Sequence, residues 1–296
     1  MTDFTLETPG ALLAVRDSRS AGPPLLLIHG GPGVPDSMQT TIAPMLPGMR
    51  AISFDQRGVG GSACRNGAYD IAAYLGDIEA IRAYLGLSSW HVLGHSWGGL
   101  LAQAYAARHR DRVESLVLSS SSLGVGPDWT QTKRVSFRTG RRRAGMRRTL
   151  RLYFFGSGLV MPGPISRSAM SHVMTETWHN YFPDPRLAPD PDPGWLAGCS
   201  AVAMLRTDRA VLRENPALLE SLRVFAAPTL VLYGEHDIFG SAVDVVNRRF
   251  PAARQITLER SGHLHWLDNP AGYRDVLQHF FTETVGIRAA ATSPAL

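Results

Sequence analysis

The chain has 296 residues, 44% of them hydrophobic, which is enough to bury a sizeable core. No apolar run approaches the ~20 residues that a membrane-spanning helix needs, and the opening MTDFTLETPG holds neither a basic start nor an apolar signal segment; a cytoplasmic protein without a membrane partner is expected. The formal charge of +5 is local, because nine basic and no acidic residues fall in 133–151 while 21 basic groups face 25 acidic ones elsewhere, which argues for a solvated basic helix face and against a nucleic-acid partner.

Residues 3–8 and 11–15 read as two strands broken at Pro9-Gly10, a turn dipeptide that suits a β-hairpin. Leu25-Leu26-Leu27-Ile28 is a continuous apolar run ending in a glycine-rich turn, the pattern of a strand buried on both faces of a parallel sheet. Similar runs recur at 50–54, 90–93, 113–118, 229–233 and, more weakly, 255–258, with helical stretches at 71–85, 98–108 and 242–249. The alternation predicts an α/β fold with a doubly wound, mostly parallel sheet.

Residues 122–224 break the alternation. They carry the arginine run, a WHNYF stretch at 178–182 and a proline-rich loop at 183–193, and read as a helical cap inserted into a core made of 1–121 and 225–286. Residues 287–296 are expected to be a disordered tail. The two cysteines, Cys64 and Cys199, form no CxxC pair and have no histidine at ligand spacing, so no metal and no disulfide is expected.

The strongest chemical signal is Gly94-His95-Ser96-Trp97-Gly98, a GxSxG sequence between a predicted strand and a predicted helix. In that setting the serine sits on a sharp turn with its hydroxyl projecting from the sheet edge, and the glycines remove Cβ atoms that would clash there. A serine hydroxyl needs a base to take its proton and an acid to orient that base. Asp237, in the loop after 229–233, and His263, in the loop after 255–258, fill those places in the order serine, acid, histidine. Glu235 competes with Asp237 as orienting acid, and His265 with His263 as base.

Acyl transfer also needs donors for the oxyanion. The backbone N–H of Trp97 is one candidate; Gly31, in the turn His29-Gly30-Gly31-Pro32-Gly33, is the other, since Pro32 has no N–H. In the following DQRGVGGS segment, Asp55 and Arg57 read as residues that pin loops.

HGGPG at 29–33, DQRGVGGS at 55–62 and GHSWGG at 94–99, completed by YGEHD and SGH, resemble the proline iminopeptidase family of α/β-hydrolases. The resemblance implies the same Ser96, Asp237 and His263 triad, a helical cap, and neither metal nor organic cofactor. It makes release of N-terminal proline from small peptides the leading expectation. Hydrolysis of a small ester, lactone or amide is the alternative, and an acyltransferase or cyclase using the same triad is a third. Members of the family carry glycine before the nucleophile, where this chain has His95, and hold the substrate amine with acidic cap residues. His95 is therefore expected to line the pocket, Glu176 to meet a substrate amine, and Trp178 to wall a pyrrolidine ring.

Overall fold

A computed structural model describes residues 2–161 and 163–285, so the tail expected at 287–296 lies outside the described residues. β1 (Thr2–Glu7) and β2 (Ala11–Asp17) form the hairpin read from Pro9-Gly10, in register Thr2 with Asp17. Six strands follow in parallel: β3 (Pro24–Ile28), β4 (Arg50–Phe54), β6 (Trp90–His95), β7 (Val113–Ser119), β8 (Thr229–Gly234) and β9 (Arg254–Leu258). The short β5 (Ala63–Cys64) pairs with β2, and the sheet order is β1-β2-β4-β3-β6-β7-β8-β9. The chain leaves β3 in one direction to make β4 and returns to its other side to make β6. Such a reversal opens a crevice at the carboxyl ends of the strands.

Strand periodicity divides the core into two layers. Leu26, Ile28, Ile52, Val92, Leu116 and Val231 point to one face, which α2 (Ile71–Tyr84) and α3 (Trp97–Arg108) cover. Their neighbours Leu25, Leu27, Ala51, Leu93, Val117 and Leu230 point to the other, where Met38 of α1 (Met38–Thr41) and Tyr273, Leu277, Phe280 and Phe281 of the C-terminal helix pack. Burial on both faces is why the inner strands β3, β4, β6, β7 and β8 read as apolar runs, while the edge strand β9 is largely exposed and reads more weakly.

Between β7 and β8 stand α4 (Pro127–Gly158), α5 (Gly163–Asn180), α6 (Pro193–Ala197), α7 (Ala201–Arg213) and a 3-10 stretch, Pro216–Val224. α4 bends at Gly145, whose φ of 74° takes it out of the helical region. Its first turn is tied to the core by Asp128, which accepts from Arg249 at 2.7 Å. Arg249 closes α8 (Asp244–Arg249); the helix expected from 242 begins instead as a 3-10 turn, Gly240–Val243. α9 (His265–Asp268) and α10 (Pro270–Val285) end the described chain. Among the described residues no helix is long and apolar enough to cross a membrane.

Candidate active site

Ser96 occupies the turn between β6 and α3 with φ 55° and ψ −118°. The glycines around it are sterically required: a Cβ on Gly94 would come within 2.3 Å of Gly98 O, and one on Gly98 within 2.0 Å of Ile28 O. The turn is pinned by Ser96 N–H donating to Ser119 O at 3.0 Å and by Ser122 N–H donating to Ser96 O at 2.9 Å. A non-glycine residue held at positive φ at a strand end marks stored backbone strain, which persists only where neighbours over-determine it.

The loops after β8 and β9 bring two further side chains to this turn. They lie so close that a Cβ on Gly234 would meet Gly262 O at 2.2 Å. His263 Nε2 is 2.9 Å from Ser96 Oγ, and His263 Nδ1 faces Asp237 Oδ2 at 3.2 Å and Oδ1 at 3.4 Å. All three are buried. With Nδ1–H donating to the carboxylate, Nε2 is left to accept from the serine hydroxyl. Burial pushes the Asp237 carboxyl upward, but the charge and hydrogen bond of His263, with further donations from Ser120 Oγ and Phe239 N–H, outweigh it and hold the group below its ordinary value.

The two competitors are placed elsewhere. Glu235 is half exposed and accepts from Arg260 N–H at 3.1 Å. His265 is fully buried on the far side of Asp237, between the hydroxyls of Ser120 and Ser261, and burial pushes it down to about 3.

A small apolar cavity of about 40 Å³ lies beside Ser96, walled by Gly30, Gly31, Val34, Met174, Trp178 and Trp195 among others. Met174, Trp178 and Tyr181 recur at the i, i+4, i+7 spacing of one helix face and all three line it. His95 lines it too: its Nε2–H donates to His263 O at 2.9 Å and its ring packs edge-on against Trp266 at 4.7 Å. Burial, with the nearby His263, holds His95 well below the ordinary histidine value. On the other side of Trp178, Trp195 and Trp266 opens a cleft of about 570 Å³ whose walls include Asp190 and Asp192 of the proline-rich loop.

Glu176 does not face this cavity, which corrects the expectation that it meets a substrate amine. It is paired with Arg148 Nε at 3.2 Å and Arg151 Nη1 at 3.3 Å, both on α4. The physical reason is helical rotation: two residues along α5 are ~200° apart, so Glu176 and Trp178 share no face.

Of the two oxyanion-donor candidates, Gly31 sits in the cavity wall with Ser96, and Trp97 opens α3 with a backbone N–H that has no intrahelical acceptor. Gln56, which drew no attention as sequence, links them. Its Nε2–H donates to His29 O and its Oε1 accepts from Trp97 Nε1, both at 2.8 Å, while its N–H donates to His29 Nε2 at 3.1 Å. Asp55 and Arg57 pin loops as expected, though through Arg16 at 2.9 Å and Asp77 at 2.8 Å and not through each other. No cluster of three or more His, Cys, Asp or Glu side chains suits a metal among the described residues.

Residues 23–139 match the family described as the alpha/beta hydrolase fold. The chain has the α/β-hydrolase fold. It is 38% identical over 109 residues to a proline iminopeptidase of Lactobacillus helveticus (strain DPC 4571), a match of 35% of this chain and 37% of that one. The chain thus aligns with little more than a third of that relative's length. A crystal structure of proline iminopeptidase from Mycobacterium smegmatis superimposes with a TM-score of 0.67 at 21% identity, covering 96% of this chain and 98% of that one. The enol-lactonase of Burkholderia xenovorans LB400 does so with 0.65 at 19% identity, covering 94% and 99%. The chain therefore resembles the proline iminopeptidases in sequence over part of its length, and several hydrolases in fold.

Proposed function

We propose that the protein is a serine hydrolase that cleaves an acyl bond next to a compact, apolar acyl group through an acyl-enzyme intermediate. The observation that carries this is the 2.9 Å contact of Ser96 Oγ with His263 Nε2, backed by Asp237, at the edge of an apolar cavity. In the first half-reaction Ser96 Oγ attacks the carbonyl carbon as its proton passes to His263 Nε2. Asp237 stabilises the imidazolium, and the Gly31 and Trp97 amides receive the oxyanion. Collapse expels the leaving group with the proton from His263, and water, deprotonated by the same histidine, then releases the acyl group as acid.

The cavity admits a small ester, lactone or amide acyl group; the outer cleft, separated by Trp178, Trp195 and Trp266, suits the remainder of the substrate. Release of N-terminal proline is a second reading, favoured by the sequence relatives. A pyrrolidine ring would fit against Trp178, but its ammonium needs a carboxylate. With Glu176 committed to arginines, and Asp36 and Asp55 of the outer cleft paired with Arg16, the cleft's Asp190 and Asp192 are the acids at hand. The basic segment serves the cap: Lys133 pairs with Asp208, and Arg148 and Arg151 pair with Glu176.

A fluorophosphonate probe is expected to label Ser96 and to fail with Ser96→Ala. Values of kcat/KM for p-nitrophenyl acetate and butyrate are expected to exceed that for prolyl-arylamide. Labelling at another residue would overturn the serine-hydrolase assignment, and a dominant prolyl-arylamide activity would replace the first substrate class with the second.

A further inference from the structure

The relay Ser96, His263, Asp237 does not stop at the carboxylate. Ser120 follows β7 directly, at a φ of 46°, a left-handed conformation that costs a serine free energy. Its N–H donates to Leu232 O at 2.8 Å. Its hydroxyl lies 2.5 Å from Asp237 Oδ2 and 2.8 Å from His265 Nε2, and His265 Nδ1 lies 2.8 Å from Ser261 Oγ. Ser120, Ser261 and His265 are each 0% exposed, so they satisfy one another or go unsatisfied.

Proton counting gives the chain one direction. An ionised carboxylate only accepts, so the single hydroxyl hydrogen of Ser120 is donated to Asp237 Oδ2. Ser120 Oγ must then accept from His265 Nε2–H, and the neutral imidazole accepts at Nδ1 from the Ser261 hydroxyl. His265, held neutral by burial, is thus no base; it is a donor whose dipole, passed through Ser120, ends on the acid. Asp237 Oδ2 thus accepts from both Ser120 and His263, so the serine shares in fixing that oxygen's position.

We infer that Ser120 and His265 are positioning residues for Asp237, which hold its carboxylate in line with His263 and moderate its basicity while the imidazolium forms. This role presupposes Ser96 as the nucleophile proposed above. A serine kept at a left-handed position that glycine would occupy without strain fits it, because glycine has no hydroxyl to give. The other titratable groups that sense Asp237 are His263, His95, Arg143, Tyr181 and Tyr233; among side chains, only His263 and Ser120 hydrogen-bond to it among the described residues.

The test follows the second-order rate of fluorophosphonate labelling of the full chain between pH 5 and 9, a readout that needs no known substrate. Ser120→Ala and Ser120→Gly are expected to slow labelling about 10- to 100-fold at pH 7, the weight of one charge-assisted hydrogen bond. The acid limb of the profile should move to higher pH, since a carboxylate freed of Ser120's proton is more basic and favours the imidazolium. Ser120→Gly relieves the φ strain but removes the same hydroxyl as Ser120→Ala, and a thermal melt of each variant establishes that it is folded at the assay temperature before its rate is read. His265→Leu should slow labelling less, and His265→Gln, which retains an N–H donor, should recover most of that loss. Folded Ser120 variants with the parent's rate and an unmoved acid limb would overturn the inference while Ser96→Ala abolished labelling. Persistent labelling of Ser96→Ala would instead defeat the hydrolase reading on which it rests.

Discussion

Trp97 donates its indole Nε1–H to Gln56 Oε1 at 2.8 Å, which ties the residue after Ser96 to the loop after β4. Because Gln56 also donates to His29 O at 2.8 Å, one side chain spaces the two turns that carry the proposed oxyanion donors. Gln56→Ala would leave a buried indole N–H and a buried carbonyl unpaired, at a cost of about 2–4 kcal/mol in stability. It is also expected to lower kcat by about tenfold or more, because donors misplaced by a fraction of an ångström lose their value. Urea denaturation and steady-state kinetics check both; a stable variant with the parent's kcat would show the link to be dispensable.

How much of this was legible beforehand depends on whether the signal was local. Five of the parallel strands are readable because burial on both faces leaves a run such as Leu25-Leu26-Leu27-Ile28 with little or no polar interruption, and the sixth, Arg254–Leu258 at the sheet edge, is fainter because it is largely exposed. The Ser96 turn is readable because GxSxG is a compact pattern between a strand and a helix, although only Gly94 is demanded by a contact within a few residues, with Gly98 O, while Gly98 is demanded by Ile28 O of a different strand. Ser120 carries no such mark: it lies in a run of four serines, 119–122, and its role appears only when Asp237, 117 residues further on, packs against it. Gln56 is hidden for the same reason. Glu176 was misread for a different one, since its ~200° rotation from Trp178 is a property of the helix and could have been applied to the sequence.

Glu176→Gln tests the corrected placement. Removing the charge should weaken the pairing of α5 with Arg148 and Arg151, by about 0.5–1.5 kcal/mol given the partial exposure of both arginines. KM for esters and for prolyl-arylamide should stay within about twofold of the parent, since uniform binding is untouched. A selective rise in KM for the free-amine substrate would restore Glu176 to the substrate's side.

Asp268 gives a pH-dependent prediction. Burial pushes its carboxyl up to about 6, against the donation from Gly262 N–H at 2.8 Å and the charges of His263, Arg143 and His236. Between the ordinary value near 3.8 and about 6, the folded protein holds a proton that the unfolded chain has released. Stability from this group is therefore fully present below the unfolded value and is lost as pH rises through about 6. Asp268→Asn keeps an oxygen for Gly262 without the charge, so its Tm should exceed the parent's at pH 7.5 and converge with it near pH 4. A variant less stable than the parent at pH 7.5 would mean that attraction to His263 and Arg143 outweighs burial.

Arg143, two residues before the bend of α4 at Gly145, joins the helices over the site to the loop that carries Asp237. Its Nη1 donates to Asn180 O at 3.0 Å and Phe182 O at 3.2 Å, and its Nη2 to His236 O at 2.5 Å. Tyr181 O, between the first two, accepts from His263 N–H at 2.8 Å, so three consecutive carbonyls at the end of α5 are held by an arginine of α4 and by His263. The planar, forked guanidinium is what allows one side chain to reach three carbonyls; a lysine ammonium is a single point on a flexible stem. Arg143→Met should lower stability by about 2–4 kcal/mol, the sum expected for charged hydrogen bonds partly replaced by water. Labelling of Ser96 should slow with it, because the loop bearing Asp237 and the segment bracing His263 lose their common anchor. Arg143→Lys should fall between Met and the parent in both respects. If Arg143→Met lost stability yet labelled at the parent's rate, the arginine would be holding α4 and α5 alone, and the position of Asp237 would depend on its own loop and on Ser120.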